Sequence, residues 1–387
     1  MSNKKKVCVA VTARPSYSRI RSALEALRGY DDIDLSILCS GSSLLDRYGR
    51  VVVLIRKDGV RVIDELDTFV EGDELINMAL TTSNTISHTS AILRREMPDL
   101  VVTIADRYET LGTAVSAAYL GIPLVHIQGG EITGNIDEKV RHAVTKLADV
   151  HLVSTQMAGE RVRRMGESPE AVFVTGCPSV DLARESAEIP TSQVQQMLDT
   201  MGAGAHVDVE QDFIVVLQHP ETDHHAQAYD QMTAILNILP SLGLPVVLFW
   251  PNVDAGSDGT SKAIRVFREQ GGGAHMRFIK NLEGRLFLAL LQRARCLLGN
   301  SSVGIRESAF LGIPVVNIGD RQIGRERCNN VVDAPWDEQA IGEAARRQVA
   351  HGPYPSSTLY GGGHTGKRIA QLIATMTPDT RKRFHDA

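Results

Sequence analysis

Short apolar runs rich in valine and isoleucine alternate along the chain with longer stretches of amphipathic, helix-like sequence. Residues 6–13 (KVCVAVTA), 33–40 (IDLSILCS), 99–106 (DLVVTIAD), 122–127 (IPLVHI), 150–155 (VHLVST) and 171–176 (AVFVTG) are runs of this kind, each followed by a helix-like stretch. Strands buried on both faces read as near-continuous apolar runs, so the pattern predicts a parallel sheet covered by helices on each side. It lapses over residues 187–212 (AEIPTSQVQQMLDTMGAGAHVDVEQD), where a linker helix and a domain boundary are expected. A second series follows at 212–219 (DFIVVLQH), 244–251 (LPVVLFWP), 276–281 (MRFIKN), 294–300 (ARCLLGN) and 313–319 (IPVVNIG), and helical sequence over about 337–351 and 363–386 closes the chain.

The pattern therefore predicts an α/β protein of two consecutive Rossmann-like, doubly wound domains, facing each other across a cleft. The expected divisions are 1–190, 191–362 and a helical segment 363–387 packing back across both. A length of 387 residues with 43% hydrophobic content fits two cores better than one.

A net charge of -5 leaves no basic field for nucleic acid or an anionic membrane. Five widely spaced cysteines without a CxxC argue for reduced thiols and a cytoplasmic setting, and no motif calls for a metal. Three lysines precede the first apolar run, but the run stops at Arg14, too soon for a signal peptide, and reads as a buried strand. No stretch of about 18 uninterrupted apolar residues predicts a membrane span.

Ligands of open α/β sheets bind beyond the carboxyl ends of the strands, and the ionisable residues gather there. Arg14 and Ser18 open a helix with Pro15 in its first turn, a place suited to an anion, although capping alone accounts equally well for Ser16 or Ser18. Asp106 ends a strand, either as an N-cap or as a functional acid, and Arg107 beside it offers bidentate contacts. In HIQGGEITGNIDEKVRH (126–142), Gly129 and Gly130 permit close backbone approach or positive φ, and Asn135 can cap a helix through Asp137, Glu138, Arg141 and His142. Asp137 and Arg141, four apart, read as a surface ion pair. Alternatively Asp106, Glu131 and Asp137 converge on one crevice, where their repulsion would raise at least one pKa for acid/base work.

In the second half, His219 follows a strand and either donates to a phosphate or is structural. Asn300, Ser301, Ser302 and Gly304 form a polar turn opening a helix, whose free N–H groups suit a diphosphate without a Walker lysine. Glu307, one to two turns into that helix, can accept from a ribose diol, and Arg321 and Arg325 add positive charge after the next strand.

The motifs RPSYSR, GSSLLDRYG, ADRYET, HIQGGEITGNIDEKVRH, GCPSVD, QHP, WPNVDAGS and GNSSVGIRE followed by RQIGRE run in order from residue 7 to about 330. In this the chain resembles the hydrolysing UDP-N-acetylglucosamine 2-epimerases of sialic acid and related nonulosonic acid synthesis. The resemblance implies a GT-B fold, a homodimer or homotetramer, and a UDP-sugar substrate with no cofactor. It implies that Arg14, Ser18, Arg107, His219, Asn252, Ser301, Ser302, Glu307 and Arg321 hold UDP, with Asp106 and Asp137 at the sugar. The implied reaction eliminates UDP across C1 and C2 and hydrates the glycal to a free 2-epimeric sugar.

Two positions depart from the family pattern. Gln128 stands where a Glu is expected and Ser43 where a His is expected, both on the sugar side. Glu131 is a candidate stand-in for the missing acid, Arg141 and His142 are further candidate substrate-binding residues, and Asp106, Glu131, Asp137, Gln128 and His219 are the candidate catalytic residues. The departures point to an altered sugar substrate. A non-hydrolysing 2-epimerase, a GT-B glycosyltransferase and a catalytically impaired nucleotide-sugar binding protein are the alternatives.

Overall fold

The computed structural model describes residues 4–46, 49–72, 74–133, 136–251 and 255–386. The chain divides into two compact units, one of residues 1–131, 136–181 and 361–387, the other of residues 132–135 and 182–360.

In chain order the first unit contains β1 (Lys5–Val11), α1 (Arg14–Leu27), β2 (Ile33–Ser40), α2 (Val51–Lys57), β3 (Arg61–Leu66), α3 (Leu75–Glu96), β4 (Leu100–Ile104), α4 (Tyr108–Tyr119), β5 (Leu124–Ile127), α5 (Ile136–Leu147), β6 (Val150–Val153), α6 (Gln156–Arg164) and β7 (Val172–Val174). The strands form one parallel sheet in the order β3-β2-β1-β4-β5-β6-β7. Its central strand β1 is buried on both sides, as its unbroken apolar run demands. Val7, Val9 and Val11 pack with Ile20, Leu24 and Leu27 of α1, while Cys8 joins Leu93 of α3 and Val140 and Val144 of α5. Strand order reverses between β1 and β4, so the loops after Val11 and Ile104 flank the topological switch point.

The chain passes into the second unit along α7 (Ser179–Ser186). There follow α8 (Thr191–Met201), β8 (Gly202–Gly204), β9 (Ile214–Leu217), α9 (Ala228–Ile238), β10 (Val246–Phe249), α10 (Ser257–Glu269), β11 (Met276–Ile279), α11 (Gly284–Arg293), β12 (Cys296–Gly299), α12 (Glu307–Leu311), β13 (Val315–Ile318), β14 (Val331–Ala334) and α13 (Glu338–His351). The sheet order is β14-β13-β12-β9-β10-β11-β8, parallel except for β8, and its switch point lies between β9 and β12. Val215, Val247 and Leu297 face α8 and α11, whereas Ile214, Val216 and Leu248 face α9, α10 and α13.

A last helix, α14 (Thr365–Thr375), returns to the first unit and packs on α1 through Ile369 and Ile373. Asp181 caps it from α7, its carboxylate accepting from the Thr365 and Gly366 amides at 2.9 and 2.6 Å. No helix among the described residues is long and apolar enough to cross a membrane.

Three strands lie outside the apolar runs, and all are edges. β3 is half-exposed, β14 carries an exposed Asp333, and β8, within the segment expected to be a linker, is Gly-Ala-Gly held antiparallel to β11. The closing helix ends at Thr375 rather than near 386, because Pro378 follows and the last carbonyls are taken by Lys5 Nζ, at 2.7 Å for Ile373 and 2.6 Å for Met376.

A side chain at Gly366 has no room: an added Cβ would stand 2.5 Å from the Ser22 carbonyl carbon, while at Gly362 nothing lies within 4 Å. Gly366→Ala is therefore expected to lower unfolding free energy by about 1–3 kcal/mol in urea denaturation, with Gly362→Ala near neutral. Equal stability of the two variants would refute the close α1–α14 packing.

Candidate active site

Two adjacent strands of the first unit end in a left-handed residue that is not glycine. Ala105 after β4 has φ +66° and Gln128 after β5 has φ +67°, conformations that cost on the order of 1–3 kcal/mol each and persist only where neighbours enforce them. For Ala105 the enforcing group is His126, whose Nε2 lies 2.9 Å from the Ala105 carbonyl while Nδ1 lies 3.1 Å from Thr145 Oγ1. Burial is complete and pushes the His126 pKa down to about 3. The ring is therefore neutral: Nε2 donates to the carbonyl, and Nδ1 accepts from the Thr145 hydroxyl. Gly129 cannot carry a side chain, since a Cβ would approach Thr145 Oγ1 to 2.8 Å, nor can Gly130, where it would reach 2.2 Å from the Ala158 carbonyl of α6. The close approach these glycines serve is thus to the protein's own helices.

Asp106, the next residue, is not a helix cap; α4 is capped from Arg107, without a side-chain bond. Its carboxylate instead forms an ion pair with Arg141 Nη2. Arg141 is 1% exposed, so the expected surface pair with Asp137 is replaced by a buried centre. Its Nη1 donates to the Glu131 carbonyl at 2.9 Å, and Glu131 Oε1 accepts from Ser154 Oγ at 2.9 Å. Burial opposes the charge on Arg141, but Asp106, Glu131 and Asp137 outweigh it and raise its pKa. Asp106 thus pairs with the guanidinium directly, while Glu131 and Asp137 add negative charge that favours its protonated form. Removing one partner of such a pair costs about 3–5 kcal/mol, because it strands a buried charge.

The first unit also carries the candidate residues Gln128, Ser43, Arg107, Arg14, Ser18 and His142. Gln128 is 1% exposed and donates from Nε2 to Cys177 Sγ at 2.8 Å. Ser43, in a 3-10 turn after β2, is buried and donates to the Ser40 carbonyl at 2.7 Å. Arg107 grips Glu109 with Nε and Nη2 at 3.1 and 3.2 Å. That fully buried carboxylate was missed, though Arg and Glu two apart in ADRYET are its signature. Arg14 is the first residue of α1, with Pro15 and Ser18 in its opening turns. His142, half-buried on α5, lies 3.4 Å from Glu138 Oε1.

In the second unit the strand ends are tied by amides. Asn300 after β12 accepts from the His219 amide at 2.9 Å and donates to the His219 carbonyl at 2.9 Å, so one side chain locks the loop after β9. Arg321 and Gln322 both donate to the Asn300 carbonyl, at 3.4 and 2.8 Å. Glu221, two residues past His219 and also missed, accepts from the Asp320 amide at 2.7 Å and from Trp336 Nε1 at 3.3 Å. Ser301 caps a 3-10 turn, Ser302–Gly304, and Ser302 Oγ accepts from Arg306 at 2.8 Å. The α-helix begins only at Glu307, and in the turn before it a Cβ added at Gly304 would stand 2.9 Å from Val315 Cγ1. Glu307 is buried, and its Oε2 has no hydrogen-bond partner among the described residues. Arg325 Nε lies 3.4 Å from the Ile132 carbonyl. Asn135 and Asn252 lie outside the described residues.

The neutral His126 has a consequence for acid stability. Below pH about 6.5 the unfolded chain binds a proton at this histidine that the folded chain refuses until about 3, so stability falls with pH across that interval. His126→Gln should remove up to about 1.4 kcal/mol per pH unit from the slope of unfolding free energy between pH 6.5 and 5. An unchanged slope would mean that the ring is protonated in the folded state.

Residues 25–374 match the family described as UDP-N-acetylglucosamine 2-epimerase. A relative from Legionella pneumophila, named UDP-N,N'-diacetylbacillosamine 2-epimerase (hydrolyzing), is 31% identical over 372 residues, covering 96% of each chain. One from Campylobacter jejuni, named GDP/UDP-N,N'-diacetylbacillosamine 2-epimerase (hydrolyzing), is 27% identical over 86% of this chain and 85% of its own. The crystal structure of Methanocaldococcus jannaschii UDP-GlcNAc 2-epimerase in complex with UDP-GlcNAc and UDP shares the fold, with a TM-score of 0.79 at 16% identity over 95% of this chain and 99% of that one. Two seven-stranded α/β units of GT-B type, with that match spanning both, show that the chain belongs to the UDP-N-acetylglucosamine 2-epimerase family.

Proposed function

We propose that the protein is a hydrolysing 2-epimerase that converts a UDP-activated 2-acetamido sugar into UDP and the free C2-epimeric sugar. The observation that carries this reading is the buried Arg141 with the carboxylates of Asp106, Glu131 and Asp137 acting on it, in a chain whose family acts on such sugars. The C2 proton of the substrate is not adjacent to a carbonyl and is weakly acidic. The C1–O bond therefore breaks early, and stabilising the departing diphosphate and the oxocarbenium charge lowers the barrier most. One carboxylate removes the C2 proton as UDP leaves, giving a glycal. Water then adds at C1, and a proton returns to the opposite face of C2.

Asp106 and Asp137 are the proposed proton-handling groups, with Glu131 as the third and Gln128, an amide, limited to orienting the sugar. Ser43, Arg141 and His142 complete the sugar side. Arg14, Ser18, Arg107, His219, Asn252, Ser301, Ser302 and Arg321 hold the diphosphate and base, and the unpartnered Glu307 Oε2 accepts from the ribose diol. The hydrolysing relatives named for UDP-N,N'-diacetylbacillosamine favour a 2,4-diacetamido-trideoxy sugar over UDP-GlcNAc, in keeping with Gln128 and Ser43. The resemblance also supports a cytoplasmic homodimer or homotetramer serving nonulosonic acid synthesis.

Incubation with each UDP-sugar in heavy water, followed by NMR, is expected to yield UDP and a free sugar of inverted configuration carrying deuterium at C2. Deuterated product still bearing UDP would instead mean a non-hydrolysing epimerase, and UDP release only with an added acceptor would mean a glycosyltransferase. Asp106→Asn is expected to lower kcat by about 10²–10⁴-fold while leaving the Kd for UDP within about threefold. A comparable loss of UDP affinity would move Asp106 out of the proton-transfer role.

A further inference from the structure

Helix α5 carries Asp137 and Arg141, and its far end is held by a part of the chain that the proposed reaction leaves unused. Past α14 the Arg381 amide donates to Asp379 Oδ1 and the Lys382 amide to the Thr380 carbonyl, both at 2.9 Å, curling the backbone, while the Arg381 side chain lies exposed against Asp379. Lys382 Nζ then donates to the Thr145 carbonyl at 3.3 Å, to the Ala148 carbonyl and to Glu167 Oε2 at 2.6 Å. Thr145 is in the last turn of α5 and Ala148 just beyond it. Carbonyls there lack intrahelical partners and form the negative end of the helix dipole, so an ammonium is well placed.

Glu167 ties this contact to the sheet. It is 3% exposed, and it accepts from Lys146 of α5 at 2.5 Å and lies 2.9 Å from His151 Nε2 of β6. Burial works to raise its pKa, but the bonds from His151, Lys146 and Lys382 prevail and bring it down to about 2. Two residues on, Phe384 lies against Gly166, where a Cβ would stand 2.2 Å from the ring, and the His385 amide donates to the Gly166 carbonyl at 3.0 Å. Thr145 is also the residue whose hydroxyl holds His126, and His126 holds the strained Ala105 before Asp106.

We propose that residues 376–386 form a clamp in which Lys382 caps the C-terminus of α5 and thereby sets the positions of Asp137, Arg141 and, through Thr145 and His126, Asp106. Lys382 is a positioning residue: it acts through the helix and touches no substrate. The inference rests on the catalytic reading of α5 given above.

The test compares the full chain with Lys382→Met, Lys382→Arg and, as a control whose bonds stay within the curl, Arg381→Met. Hydrogen exchange along α5 reports the clamp, and steady-state release of UDP reports its effect on turnover. In Lys382→Met, amide exchange in the C-terminal half of α5 should quicken about three- to tenfold. There kcat should fall about tenfold while KM stays within about twofold. Lys382→Arg should restore most of both, and Arg381→Met should change neither. Unaltered exchange in Lys382→Met overturns the clamp, and faster exchange with undiminished kcat overturns its role in positioning. Equal losses in Arg381→Met would assign the effect to tail charge in general. A wild-type chain that releases no UDP from any UDP-sugar overturns the functional reading, and the exchange comparison then decides the clamp by itself.

Discussion

A guanidinium that is 1% exposed has to be surrounded by negative charge, and most of the first unit's site follows from that requirement. Arg141 reaches Asp106 with one nitrogen and the Glu131 backbone with another, so the ends of β4 and β5 must both turn toward α5. The left-handed Ala105 makes that turn on one strand and Gln128 makes it on the next. His126, neutral because it is buried, braces the first turn without adding a second positive charge beside Arg141. Gly129 and Gly130 let the connection pass between His126, Thr145 and α6. The crowding of ionisable groups between His126 and His142 is thus one electrostatic arrangement.

The second unit solves a different problem by different means. Its strand ends are fixed by neutral amides and by one carboxylate used as a backbone acceptor: Asn300 locks the His219 loop, Gln322 reaches the Asn300 carbonyl, and Glu221 holds the turn after β13. Dipoles fixed before the ligand arrives stabilise a leaving diphosphate without reorganising as charge develops. Proton transfer requires groups that change charge state, and the carboxylates proposed for it lie in the first unit.

This division also sets what sequence alone could reveal. Central strands such as β1 and β9 are apolar on both faces and stand out as unbroken runs, whereas β3, β8 and β14 sit at sheet edges, bury little, and carry no such signal. The placement of candidate residues after strands was legible for the same reason. Their partners were not. Asp137 and Arg141 at helical spacing describe an exposed pair and a buried centre equally well, and only the tertiary position of α5 separates the two. Glu109 and Glu221 sit two residues after an Arg and a His that drew attention, yet their role depends on which way a buried carboxylate faces. Lys382 was illegible altogether, since its partners lie more than two hundred residues away in a chain segment expected to be helix.

Charge balance gives a physical account of the departure at position 128. Asp106, Glu131 and Asp137 already set three carboxylates against the single Arg141 guanidinium. A glutamate at 128, buried to 1% exposure on the connection that also carries Glu131, would add a further buried negative charge. The amide keeps the side chain's shape and its hydrogen bond to Cys177 while leaving the local charge unchanged. It gives up the ability to exchange a proton, since an amide does not titrate in this range. Under the proposed reaction, proton transfer then falls to the carboxylates about Arg141. On the same proposal the amide at 128 serves to recognise the sugar, which is where a change of substrate would be expected to register.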